Sequence, residues 1–129
     1  MKLFFFTQYF WPENFRINEL VKYFSKNKPF VLTSNPSYPS KNLFINKKYF
    51  RKKLQLGNFE IIRVPVFLRN VSNLSIFLNY ISFFLSSLFI GIFKIYKKKF
   101  DIIFVFCPSQ ILNEKNIKIF KKLFKKKII

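Results

Sequence analysis

Residues Leu3 to Phe6 form an unbroken apolar run, Leu-Phe-Phe-Phe, near the start of a 129-residue chain. A strand that alternates apolar and polar residues can leave one face in water. A strand apolar at every position needs both faces covered, the condition of a parallel sheet between layers of helix. Phe30–Thr33 and Ile102–Phe106 read the same way, and Phe59–Val66 supplies a further strand in which Pro65 marks an edge or a strand end. Between the first two, Ile17, Leu20, Val21 and Phe24 recur at i, i+3, i+4 and i+7, which predicts a helix from about Phe15 to Lys26, ending before Pro29. Strand, helix and strand in alternation predict an α/β fold. Asn42 to Lys53 is polar and basic and reads as a long surface loop.

In an open parallel sheet, ligands bind at the carboxyl ends of the strands. The loop after the first strand is therefore the first place to look for a site. It is bulky and polar where a phosphate-binding loop would be rich in glycine. Glu13, Asn14 and Arg16 stand out: Asn14 is placed to cap the helix, and Arg16 to grip a phosphate with both arms of its guanidinium. A surface ion pair of little energetic weight is the competing reading of Glu13 and Arg16. Tyr9 and Trp11 either stack on a ligand ring or pack the loop, packing being preferred. Asn35 and Tyr38 follow the second strand on the same side, where turn chemistry explains an Asn/Pro-rich stretch equally well. Pro108 and Ser109 follow the strand Ile102–Phe106 on that side too.

The chain carries 24 Lys and Arg against 5 Asp and Glu, a net charge of +19. Such an excess suggests a nucleic acid or an anionic membrane surface. A duller origin competes, because Phe, Lys, Ile and Asn make up more than half the residues, Ala and His are absent, and all four favoured residues have AT-rich codons. The lysines are spread among loops and helix ends without a nucleic-acid-binding motif, so no nucleic-acid partner is expected. Cys107 is the single cysteine, which excludes an internal disulfide and fits a reducing compartment. It reads as a small buried residue, since no His exists to activate it. No metal site or cofactor is expected. The sequons Asn70-Val-Ser72 and Asn73-Leu-Ser75 would go unused in a cytosolic protein.

Asn70 to Phe93 contains no charged residue, and Leu74–Phe93 alone has the length of a membrane span. Ser75, Asn79, Ser82 and Ser86 share one helix face, however, and Lys94, Lys97, Lys98 and Lys99 follow. Three readings stay open: a domain helix partly touching membrane, an ordinary buried helix, and a true span. A last helix is expected from about Glu114 to Lys127, with Ile117, Phe120, Leu123 and Phe124 on one side. It reads as a lipid-surface helix or as a solvated outer helix.

Several blocks, taken in order, resemble one family. They are Thr7-Gln-Tyr-Phe-Trp-Pro-Glu-Asn-Phe-Arg-Ile-Asn-Glu-Leu20, Asn35-Pro-Ser-Tyr-Pro-Ser40, Ile62-Arg-Val-Pro-Val66, Leu78-Asn-Tyr-Ile-Ser-Phe83, and Phe100-Asp-Ile-Ile-Phe-Val-Phe106 with Pro108-Ser109. Over about residues 1–110 they resemble the N-terminal domain of WbuB-type glycosyltransferases, in retaining family 4 of the two-Rossmann-domain GT-B fold. The family's Gly-His-Glu turn is replaced by Asn27-Lys28-Pro29, Cys107 stands where the family often has an acidic or polar residue, and the likeness stops after Ser109.

The resemblance implies that residues 1–129 are an incomplete Rossmann-like, acceptor-side domain, the N-terminal half of such an enzyme. The nucleotide-sugar domain, with its paired glutamates, is absent, so the chain alone is expected to be inactive. The implied reaction moves a sugar, a fucosamine-type residue among the candidates, from a nucleotide-sugar to a lipid-linked acceptor in surface polysaccharide synthesis. Glu13, Asn14, Arg16, Asn35, Tyr38, Pro108 and Ser109 become its candidate substrate contacts, with no catalytic residue assigned. The implied setting is cytoplasmic, peripheral on the anionic inner face of the cell membrane. The alternative is a non-catalytic membrane-associated module or a remnant of such an enzyme.

Overall fold

A computed structural model describes residues 1–39, 53–56, 58–106, 115, 117–119, 121–123, 125 and 127–129. The elements run β1 (Leu3–Thr7), α1 (Ile17–Tyr23), a 3-10 turn (Ser25–Asn27), β2 (Phe30–Ser34), β3 (Lys53–Leu56), β4 (Phe59–Val64), α2 (Asn73–Lys98), β5 (Ile102–Phe106) and β6 (Lys127–Ile128). The six strands form one sheet in the order β3-β4-β2-β1-β5-β6. Five of them are parallel, and β3 runs antiparallel to β4. Counting the parallel strands alone, the sheet reads third, second, first, fourth, fifth, the order of a Rossmann-like half with its switch point between β1 and β5.

β1, apolar from Leu3 to Phe6, lies inside the sheet between β2 and β5, as its composition requires. Leu3 and Phe5 point to one face, where they pack with Ile17 and Val21 of α1 and with Val31 and Ile61. Phe4 and Phe6 point to the other, against Leu32, Val64, Ile103, and Phe83 and Ile95 of α2. Aromatic rings fill both layers. Phe5 stacks on Phe104 at 4.8 Å on the α1 side, and Phe4, Phe30 and Phe100 meet at 4.9 to 5.5 Å on the α2 side.

Three expected elements are corrected. Helix α1 is shorter than predicted: its α-helical turns end at Tyr23, and Phe24 leads into the 3-10 turn. The last helix does not reach Lys127. Residues 115, 117–119 and 121–123 are helical, Lys125 adopts a left-handed backbone, and Lys127–Ile128 pair with β5. The basic stretch expected as a loop to Lys53 gives way there to β3, which forms a hairpin with β4. Strand β4 ends at Val64, before Pro65, which has no N–H to continue the ladder.

Helix α2 is 26 residues long, hence about 39 Å, and it is long and apolar enough to cross a membrane. Its packing is inverted. The buried residues are Ser75, Asn79, Phe83, Ser87, Gly91 and Ile95, one line at steps of four. Four small or polar residues thus face the sheet with Phe83 and Ile95, while Leu74, Phe77, Leu85, Phe89, Phe93 and Tyr96 are exposed. The buried polar groups are satisfied: the Asn79 Oδ1 accepts from Gln8 Nε2 at 2.9 Å, and its Nδ2 donates to the Phe67 carbonyl at 2.6 Å. Among the three readings of this segment, the ordinary buried helix does not describe it. Nor does a span fit this fold, since a crossing α2 would leave β4 and β5 on opposite sides of the bilayer although they share one sheet.

Candidate functional site

The loops after β1, β2 and β4 meet at the carboxyl edge of the sheet, and Glu13 ties the first two together. Its Oε1 accepts from the Ser37 and Tyr38 N–H groups at 2.9 and 2.7 Å, and its Oε2 from the Phe10 N–H at 3.2 Å. The side chain is 2% exposed. Burial pushes its carboxyl up to about 7, against the pull of the three N–H donors and of Arg63. Arg63 is buried in β4, donates to the Ser34 carbonyl at 2.9 Å and also to the Trp11 carbonyl. Burial draws its guanidinium down to about 10, opposed by Glu13. A carboxylate and an arginine thus fix the shape of two loops from beneath.

Arg69, five residues past β4, lies over this frame. Its Nη1 donates to the hydroxyls of Tyr9 at 3.1 Å and Tyr80 at 3.3 Å, and its guanidinium carbon sits 5.0 Å from the centre of the Tyr38 ring. Tyr9, Phe15 and Tyr38 pack with ring centres 5.2 to 5.3 Å apart. Burial raises the Tyr9 hydroxyl well above its ordinary value, so it stays a proton donor. Leu68 and Asn70, on either side of Arg69 in the chain, help to line an apolar groove of about 520 Å3 with Val66, Phe67, Leu74, Leu78, Ser72 and Ser75. Three buried polar atoms lack a hydrogen-bond partner among the described residues: Ser37 Oγ, Arg63 Nε and Arg69 Nε. All three belong to this edge.

The residues singled out from sequence are dispersed by the fold. Glu13 is beneath the loops, with both carboxylate oxygens taken up by backbone groups, so it does not form the surface ion pair with Arg16. Tyr38 belongs to the aromatic cluster and is 39% exposed. Asn35 is half-buried, and its carbonyl accepts from Ser34 Oγ at 3.0 Å. Asn14 is exposed and does not cap α1, which begins after Arg16 without a side-chain cap. Asn18 organises that corner instead, donating to the Glu13 carbonyl at 2.7 Å and accepting from the Trp11 N–H at 3.0 Å. Arg16 is exposed on the α1 side, beside Leu20, Tyr23 and Phe106. With seven residues, α1 is too short to offer the phosphate-binding helix end expected of it. Tyr9 and Trp11 pack, as preferred. Pro108, Ser109 and Cys107 lie outside the described residues.

Arg63, Arg69 and Tyr80 were missed. Arg63 carried a signal, being the one charge within Ile61-Ile62-Arg63-Val64, where burial demands partners. Arg69 closes the apolar stretch after Pro65 and carried less. Among the described residues no three His, Cys, Asp or Glu side chains group as a metal site. The arrangement offers a guanidinium framed by hydroxyl donors, which suits holding an anion.

In comparisons with known proteins, no family model matches the chain, and no curated protein or solved structure matches it either.

Proposed function

We propose that the chain is the acceptor-side domain of a glycosyltransferase whose acceptor is a sugar on a lipid diphosphate, as the sequence resemblance implies. The observation that carries the reading is that Arg69, in its ring of tyrosines, stands in the chain between Leu68 and Asn70, which line an apolar groove. A lipid diphosphate needs these two surfaces side by side: donors for the diphosphate and a dry lane for the first isoprene units. The strand order puts both at the carboxyl edge, where open α/β sheets receive ligands. The transferred sugar and its nucleotide would be met by a second domain across the cleft.

The test is binding of farnesyl diphosphate, a short soluble stand-in for the acceptor, followed by tyrosine and tryptophan fluorescence. The wild-type chain binds it, and Arg69→Gln weakens binding by roughly tenfold or more, the weight of a charge-assisted hydrogen bond to phosphate. No binding by the wild type, or equal binding by the variant, sinks the reading. The exposed apolar face of α2 favours a second reading, a non-catalytic membrane-associated module. That reading predicts vesicle binding with no affinity for the diphosphate.

A further inference from the structure

The opposite, amino edge of the sheet holds a second feature. An open cavity of about 590 Å3 lies between the starts of β1, β2, β4 and β5 and the last turn of α2. Its floor is apolar, made by Leu3, Phe30 and Phe100. Its rim carries Lys2, Lys28, Lys97 and Lys98 and one carboxylate, Glu60. Lys98 pairs with Glu60 at 2.7 Å and lies 4.7 Å from the centre of the Phe30 ring. Asp101, next to Phe100, accepts from the Lys2 backbone N–H at 2.6 Å. The cavity therefore keeps an excess of positive charge over an apolar base, and its size suits a small molecule or a lipid head group.

The rim continues onto the outward face of α2. Lys97 places its ammonium 5.8 Å from the centre of the Phe93 ring, and Phe93 stands with Phe89 and Tyr96 at 60%, 73% and 78% exposure. Cation site and apolar strip are thus one surface, the pattern of an amphipathic element lying in a membrane interface.

From this continuity we infer that the amino-edge cavity receives the phosphate of an anionic phospholipid, while the outward face of α2 lies along the acyl boundary. The inference does not depend on the glycosyltransferase reading. It concerns the other edge of the sheet, other residues and a bulk lipid. The shared chemistry is a phosphate ester, which a free metabolite also presents, so the test separates the two sources.

The full chain is floated with vesicles of phosphatidylcholine alone and of phosphatidylcholine mixed with phosphatidylglycerol, and is titrated separately with glycerol 3-phosphate. One variant removes two cavity charges, Lys28→Asn with Lys97→Gln; asparagine tolerates the left-handed backbone of residue 28. A control removes two exposed cations of the α1 side, Arg16→Gln with Lys22→Gln. Binding to the anionic vesicles exceeds binding to the neutral ones. The cavity variant loses roughly fivefold per lysine, about 25-fold in all, and the control much less. Lys28→Arg with Lys97→Arg keeps the binding, which decides the matter if the neutral pair fails to fold. Equal loss in the cavity and control variants overturns the inference, since general charge then suffices. Equal flotation with neutral vesicles overturns it as well. Binding of glycerol 3-phosphate without vesicle binding replaces the lipid with a soluble phosphate and overturns the assignment of the occupant.

Discussion

Replacing Glu13 by glutamine isolates the energetic consequence of burying a carboxyl under two loops. In the folded chain Glu13 titrates at about 7, raised from 4.5 by burial, and it is 2% exposed, so solvent screens it little. Between these values the folded state binds the proton and the unfolded state releases it. Stability then falls as pH rises, because the native state holds more protons. The contribution is complete below about pH 4.5 and is lost as pH passes through about 7. The gap converts to about 3 kcal/mol. Glutamine cannot titrate. It can keep the acceptor facing the Ser37 and Tyr38 N–H groups but not the one facing Phe10, which gives a pH-independent offset. Urea unfolding of both proteins at a series of pH values reads the difference, in which the remaining titrations cancel. The wild type should lose about 3 kcal/mol relative to Glu13→Gln between pH 4.5 and a pH well above 7. Parallel curves would refute the reasoning. Relative stabilisation of the wild type with rising pH would show instead that the three N–H donors outweigh burial.

Asn79→Leu leaves Gln8 Nε2 without its Asn79 acceptor and the Phe67 carbonyl without its Asn79 donor, and should cost about 2 to 4 kcal/mol by chemical denaturation. Lys99 ends α2 with φ at 50°, a left-handed conformation that costs a side-chain-bearing residue about 1 kcal/mol; Lys99→Gly should stabilise by that amount, read as a higher melting temperature. Phe89→Ser with Phe93→Ser alters two exposed positions, so stability should change by less than about 1 kcal/mol while solubility rises and vesicle binding falls. Phe83→Ala, by contrast, empties the α2–sheet contact against Phe6 and should cost about 3 to 5 kcal/mol.

The sheet was legible wherever burial on both faces left a continuous apolar run, as in Leu3–Phe6 and Phe30–Thr33. It was not legible where pairing rests on backbone alone: β6 is two residues, Lys127 and Ile128, placed beside β5 by main-chain bonds. The face Ser75, Asn79, Ser82 and Ser86 was visible in the spacing of α2, but its direction was not. A polar face normally seeks water. Ser75 and Asn79 turn inward, Asn79 because Gln8, 71 residues away, and the Phe67 carbonyl supply its partners, while Ser82 and Ser86 stay half-buried beside the buried line. The same long-range pairing hid the Arg69 cluster, whose contact with Tyr9 spans 60 residues. Glu13, Asn14 and Arg16 are close in sequence, yet one lies beneath the loops and two on the surface, because a polar loop residue can face either way until its neighbours are in place.

The place of α2 in the chain has a consequence for biosynthesis. β1 pairs with β5 through five residues in register, and β5 is translated after α2. Until Ile102–Phe106 pairs with β1, the chain holds a bilayer-length apolar helix and a sheet still lacking the strands that follow it. The two destinations of that helix exclude each other: insertion across the bilayer separates β4 from β5, and closing β5 onto β1 confines α2 to one side. The last strands are thus a lock on the topology, and a substitution that slows their pairing lengthens the interval in which the helix can be diverted.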